Sequence, residues 1–249
     1  MTSLKARSPQ VYARFGGLLY LIIIILCLVD EVFIRGKLIV PGDVAATVHN
    51  IVGSELLFRG GIVGDLFMHV CDVPLTLILY VLLRPVSKDL SLLGAIFSLL
   101  QTSVLISNKL NLVLVLLVLP GPGHPATFDQ RQIQNLVPLF LTLHEYGFGI
   151  GLIFFGVSCL IVGYLTYRSG YLPRALGVLH AIAGLSYLVN SFAMLLAPAL
   201  ADRMFPAILA PAFIGELAMC LWLLIMGVNV SKWNERQHGR STVDSVAAD

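Results

Sequence analysis

Apolar residues gather into six long runs that are separated by short polar segments. Each run reaches the roughly 20 residues that a helix needs to cross the hydrocarbon core of a bilayer. The runs cover residues 11–33, 58–83, 90–119, 137–167, 174–197 and 207–230. The pattern therefore predicts an all-α fold, a polytopic membrane helical bundle with six transmembrane helices.

Composition supports this interpretation and narrows the class of function. Only 12% of the residues are charged, against about 25% in soluble domains, and 57% are hydrophobic. The net charge is +2 without a basic cluster, so no nucleic-acid partner is expected. The four cysteines lie in apolar runs without CxxC or zinc spacing, which favours small buried side chains.

The distribution of Lys and Arg predicts how the bundle is oriented. Ten of these residues fall in the N-terminal segment, the even loops and the tail, and five fall on the opposite side. The positive-inside rule therefore places both termini in the cytoplasm. We expect a cytoplasmic segment at residues 1–10, a transmembrane domain at 11–230 and a disordered cytoplasmic tail at 231–249. Asp43 is expected to cap an amphipathic helix near residues 43–55 on the outer surface.

Three polar residues interrupt the second run at helical spacing. Asp65, His69 and Asp72 follow the pattern i, i+4, i+7, which places them within about 60° of arc on one helix face. A charged side chain near the bilayer centre costs about 2.5–3.5 kcal/mol on insertion scales. These groups therefore need partners, water, protonation or a metal.

Other helices contribute polar residues at a similar predicted depth. We expect them to face a polar cavity biased toward the outer leaflet, where they are candidates for ligand binding or proton coupling. They are Lys109, His144, Glu145, Asn190 and Glu216. Glu145 is expected to face a partner on another helix such as Lys109. Arg59 is a candidate for contact with a lipid headgroup, or else an interfacial anchor.

Three functions remain open from these residues. The first is binding or translocation of a small lipophilic or cationic molecule or an ion, with proton coupling through the carboxyls and histidines. The second is a metal-assisted hydrolase acting on a lipid, for which Asp65, His69, Asp72 and His144 are weak ligand candidates. The third is a structural or assembly protein whose polar groups simply pair. No cofactor is predicted, and no catalytic residue is assigned.

Several short motifs resemble a known family in their order along residues 11–230. They are ARFGGLLYL at 13–21, FR at 58–59, Asp65, CD at 71–72, HEYG at 144–147, GLIFFG at 151–156, GY at 163–164, YLPRALG at 171–177, GELA at 215–218 and LWLL at 221–224. The chain resembles the domain-of-unknown-function family 4386, bacterial multi-pass membrane proteins. The resemblance implies a helical bundle in the bacterial inner membrane, and it implies no particular activity.

Overall fold

The regular structure is helical wherever the computed structural model describes the chain, at residues 8–120 and 127–246. The helices are α1 (Pro9–Leu38), α2 (Val44–Gly53), α3 (Glu55–Leu83), α4 (Lys88–Val118), α5 (Gln130–Ser169), α6 (Arg174–Leu196), α7 (Pro198–Met204), α8 (Ala207–Ile225) and α9 (Val230–Val246). Six of these described helices, α1, α3, α4, α5, α6 and α8, are long and apolar enough to cross a membrane. The prediction of an all-α membrane bundle with six spans is confirmed.

The helix boundaries follow from local capping. Asp43 accepts a hydrogen bond from the Ala46 amide at 2.9 Å, so α2 begins where the sequence predicted an amphipathic helix. Asp129 and Gln132 form a reciprocal capping box at the start of α5. That helix ends at Gly170, whose φ of 77° lies in the left-handed region that glycine adopts without strain.

Small residues allow α5 and α6 to pack with their backbones in contact. A methyl group added at Gly163 would lie 2.7 Å from the Gly177 carbonyl oxygen, and one at Gly156 would lie 2.9 Å from that of Gly184. Without a hydrophobic driving force between helices in lipid, such close approach is a main source of association. The glycines that recur every seven residues along α5 therefore mark its contact face with α6.

Two apolar clusters fill the bundle at opposite ends. Tyr20, Leu82 and Leu223 belong to the cluster at the end where α1 begins and α8 finishes. Phe58 and Val115 belong to the other cluster, which lies beside α2. On α3 the polar residues at 65 and 69 fall between the positions that contribute to the two clusters. We call the end that holds the first cluster the tail end of the bundle, and the end that holds the second cluster the α2 end.

The C-terminal segment differs from the expected disordered tail, because it forms helix α9 through Val246. The Asn229 side chain accepts from the Lys232 amide at 3.1 Å and thereby starts the helix. Trp233 is buried in the cluster at the tail end, and its Nε1 donates to the Leu82 carbonyl at 3.0 Å. A buried anchor next to a capped start gives this polar segment a reason to fold. Residues 247–249 of the expected tail, and residues 1–7 of the expected N-terminal segment, lie outside the described residues.

Tyr171 reinforces the same contact from the loop between α5 and α6. Its hydroxyl donates to the Leu82 carbonyl at 2.6 Å, so this oxygen accepts from Tyr171 and Trp233 together. Burial raises the pKa of Tyr171 from its ordinary value, which keeps the hydroxyl protonated as a donor. The last turn of α3 is thereby attached both to this loop and to α9.

Candidate functional site

A turn of π-helix within α1 brings two opposite charges together. Asp30 and Arg35 begin and end this turn, and Arg35 Nε donates to Asp30 Oδ2 at 2.5 Å. Positions five apart lie about 140° apart on a regular α-helix, so they face different directions there. The i→i+5 hydrogen bonding of a π turn places them on one side, and such turns are frequent at functional sites.

This pair continues into a charge network across three helices. Arg35 Nη2 donates to Asp65 Oδ2 of α3 at 2.9 Å, and Lys109 Nζ of α4 donates to the same oxygen. The side chains of Asp65 and Lys109 are each only 5% exposed. Two cations thus balance two carboxylates, which is the condition under which buried charges are tolerated.

Sequence reasoning found Asp65 and Lys109 but missed their partners on α1. It ended the first apolar run at residue 33, before Arg35, whereas the helix continues to Leu38. The acidic residue at 30 inside a continuing apolar helix was the available signal. Gly61 of α3 leaves room for the Asp30 side chain, since a methyl group there would lie 2.7 Å from Asp30 Oδ1.

His144 is held by an asparagine rather than by a charged group. Asn108 Nδ2 donates to the His144 carbonyl at 2.8 Å and lies 3.1 Å from its Nδ1. A side chain at Gly147 would overlap the Asn108 amide, so the glycine of the HEYG motif makes room for this contact. The expected approach of Glu145 to Lys109 is wrong, because Lys109 pairs with Asp65 and Glu145 is exposed on the surface of α5.

A cavity of about 290 Å³ runs through the bundle between α1, α3, α4, α5, α6 and α8. Along α3 its wall extends from Met68 to Leu83, which is roughly 20 Å at about 1.5 Å per residue. Most of its wall is apolar, and it reaches into the tail-end half of the bundle, whereas the sequence predicted a polar cavity biased toward the outer leaflet. The candidates His69, Asp72 and Glu216 line it.

The remaining candidates do not line this cavity. Asp65 and Lys109 belong to the charge network, His144 binds Asn108, and Asn190 is half-buried on α6. The structure therefore separates the expected single polar region into a paired charge network and a mostly apolar cavity that holds a few polar groups.

The two carboxyls of the cavity accept hydrogen bonds from hydroxyl groups. Tyr187 donates to Glu216 Oε1 at 2.5 Å, and Thr102 donates to Asp72 Oδ2. Across the described residues, no Lys, Arg or His nitrogen lies within 4.0 Å of either carboxyl, since the ion pairs involve Asp30, Asp65 and Glu55 instead. Among the described residues, the protein thus places no cation against either carboxyl.

Two histidines of the cavity wall keep unused hydrogen-bonding atoms. His69 is 2% exposed and its Nε2 has no partner; His180 is 3% exposed and its Nδ1 has none. Such buried polar atoms are uncommon in native proteins and often point to water or a bound group. The two side chains lie toward different ends of the cavity, because His69 is near its start on α3 and His180 is in the first turns of α6.

Arg59, the candidate for contact with a lipid headgroup, forms an ion pair on the surface of α3. Arg59 Nε donates to Glu55 at 2.7 Å within the first turns of α3, and its side chain is 47% exposed.

Within the described ranges, no group of three or more His, Cys, Asp or Glu residues comes together as a set of metal ligands. The metal candidates Asp65, His69, Asp72 and His144 are instead distributed between the charge network, the cavity and the Asn108 contact.

Comparison with known proteins agrees with the sequence resemblance. An uncharacterized protein of Archaeoglobus fulgidus is 29% identical over 171 residues, which cover 69% of this chain and 86% of the relative. No solved structure matches the chain. A family model described as a domain of unknown function, DUF4386, matches residues 15–227. The chain, an integral membrane protein with six spans, therefore belongs to the DUF4386 family.

Proposed function

We propose that this membrane protein binds a small lipophilic molecule in the cavity between its helices. The observation that supports the proposal is the cavity itself, about 290 Å³ in volume and walled mainly by apolar side chains. Binding sites for small molecules are typically apolar cavities of this order with a few convergent polar groups. His69, Asp72 and Glu216 are the polar groups available here.

The contrast with the charge network favours binding over a purely structural role. Asp30, Arg35, Asp65 and Lys109 neutralise one another, so their contacts explain their presence without a ligand. The cavity carboxyls accept from hydroxyl groups but lie against no cation of the described residues, and His69 Nε2 and His180 Nδ1 have no partner. A ligand with hydrogen-bonding groups would satisfy the unpartnered histidine atoms, whereas packing alone leaves them as an unexplained cost.

The test is saturable binding of a neutral lipophile to the reconstituted protein. The probe is tritiated 1-decanol, added to protein in phosphatidylcholine nanodiscs, with binding to empty nanodiscs subtracted. Ala95 lines the cavity, so the ring of Ala95→Phe occupies part of it and is expected to weaken saturable binding strongly. Ala175→Phe adds the same ring at an exposed position of α6 and should bind as the wild type does. Equal binding by the two variants, or no saturable binding by the wild type, would contradict the proposal.

The length of the cavity favours a second function, translocation of the bound molecule. Its wall along α3 covers roughly 20 Å, about two thirds of the roughly 30 Å hydrocarbon core. Only a short barrier would then separate a bound molecule from one side. Uptake of a membrane-impermeant, fluorescently labelled alkyl probe into proteoliposomes, with and without a pH gradient, tests both translocation and its coupling to protons.

A further inference from the structure

The charges around the cavity indicate which lipophilic molecules it accepts. Asp72 and Glu216 line the cavity, and each accepts a hydrogen bond from a hydroxyl group without a cation nearby. In the same bundle, Asp30 and Asp65 are both paired with cations of the protein. The cavity is therefore the part of the described interior where two carboxyls have no counter-charge.

Aromatic rings line the same cavity as these carboxyls. Tyr187, the donor to Glu216, lies with its ring centroid 5.4 Å from that of Phe155. Tyr20 and Phe213 line the same cavity. The faces of aromatic rings attract cations, and the attraction increases in sites that exclude water. The carboxyl and the aromatic rings thus both favour a positively charged ligand.

His69 provides an independent indication that a polar group of a ligand belongs in this cavity. It is 2% exposed, lines the cavity one turn from Asp72, and has an unpartnered Nε2. A neutral imidazole nitrogen either accepts or donates a hydrogen bond according to its tautomer, so it can accept from an N–H group. A ligand that carries several N–H donors would satisfy the histidine and the carboxyls together.

We propose that the ligand is a lipophilic cation of the alkylammonium class, whose ammonium group pairs with Glu216 and Asp72 and whose chain lies along the apolar wall. This inference rests on the proposed binding function and names its ligand class. Anionic lipophiles are excluded by repulsion from the two carboxylates. Neutral lipophiles enter the cavity but leave its carboxyls unpaired, so they bind more weakly.

The test compares two probes that differ in the head group. Tritiated 1-decylamine, which is protonated at neutral pH as a lysine side chain is, and tritiated 1-decanol are titrated onto protein in nanodiscs of zwitterionic phosphatidylcholine. We expect the amine to bind at least about tenfold more tightly than the alcohol, a ratio that corresponds to about 1.4 kcal/mol. In Glu216→Gln and Asp72→Asn this ratio should fall, while alcohol binding is kept.

A matched variant separates a specific site from general attraction of cations. Glu31→Gln also removes a carboxylate from a membrane-spanning helix, but Glu31 is exposed and does not line the cavity, so the ratio should remain at its wild-type value. An equal decrease in all three variants overturns the inference.

The remaining outcomes distinguish the inference from the proposed function. Saturable decanol binding without preference for the amine overturns the cation proposal and leaves the binding function standing. Absence of saturable binding by either probe overturns both. If a cavity variant fails to fold, the ratio measured on the wild-type protein decides the matter.

Discussion

Lys109 on α4 and Asp65 on α3 form a buried ion pair, with each side chain only 5% exposed. Arg35 reaches the same carboxylate oxygen from α1, so one aspartate joins three helices. The pair lies between the two apolar clusters, so neither charged side chain reaches water at an end of the bundle. Removing one partner therefore measures how much the pair contributes to the stability of the bundle.

Lys109→Met should destabilise the bundle by about 3–5 kcal/mol, because Asp65 then keeps only Arg35, which it shares with Asp30. The double variant Asp65→Leu/Lys109→Met should lose less, since it removes both charges and leaves Arg35 paired with Asp30. Unfolding in mixed micelles of increasing sodium dodecyl sulfate measures these differences. As a control, Arg59→Met breaks an exposed pair and should cost less than about 1 kcal/mol. A double variant less stable than Lys109→Met would argue against this account.

Gly61→Ala should destabilise the protein by about 1–3 kcal/mol, the usual cost of overpacking. The added methyl group would lie 2.7 Å from Asp30 Oδ1, so the π turn of α1 or the Arg35 contact must move. Gly60 has no atom within 4 Å of an added methyl group, and Gly60→Ala should be neutral or slightly stabilising because alanine favours a helix. Thermal unfolding of the two variants in detergent checks the prediction. Equal effects would mean that the contact between Gly61 and Asp30 has no consequence.

Trp233→Ala should release α9 from the bundle, because the indole is both buried in the apolar cluster and bonded to the Leu82 carbonyl. Trp233→Phe should release it less, since the ring still packs and Tyr171 still donates to that oxygen. The rate of tryptic cleavage after Lys232 and Arg236 measures the release. Ser231→Ala, at an exposed position, should be cleaved at the wild-type rate. Unchanged cleavage of Trp233→Ala would show that the indole does not anchor the helix.

The orientation expected from the positive-inside rule can be checked with single cysteines in a background whose four native cysteines are replaced by alanine. Ser54→Cys, between α2 and α3, should react with a membrane-impermeant maleimide on intact cells. Ser231→Cys, in the first turn of α9, should react only after the cells are opened. The reverse labelling pattern would place both termini outside. Both serines are exposed, so accessibility does not bias the comparison.

The polar candidates show where prediction from the sequence succeeded and where it stopped. Asp65, His69 and Asp72 share one face of α3 by spacing alone, and the first two are buried there. The partner of Asp65 on α1 could not be inferred, because Asp30 and Arg35 come together only through a π turn that periodicity does not reveal. Lys109, suggested as a partner for Glu145, pairs with Asp65 instead, because spacing along one helix does not show which side chains of neighbouring helices meet.

By itself, the sequence determined the class of the fold, the six spans, the capped helix after Asp43 and the family. The physical reason is that a bilayer imposes span length and backbone pairing on each segment separately, so local apolarity and capping suffice. Only the tertiary structure decided which polar groups neutralise one another, which remain around the cavity, and that the tail folds through Trp233. These are relations between side chains far apart in the chain, and they depend on how closely glycines such as Gly61 and Gly163 allow the helices to approach.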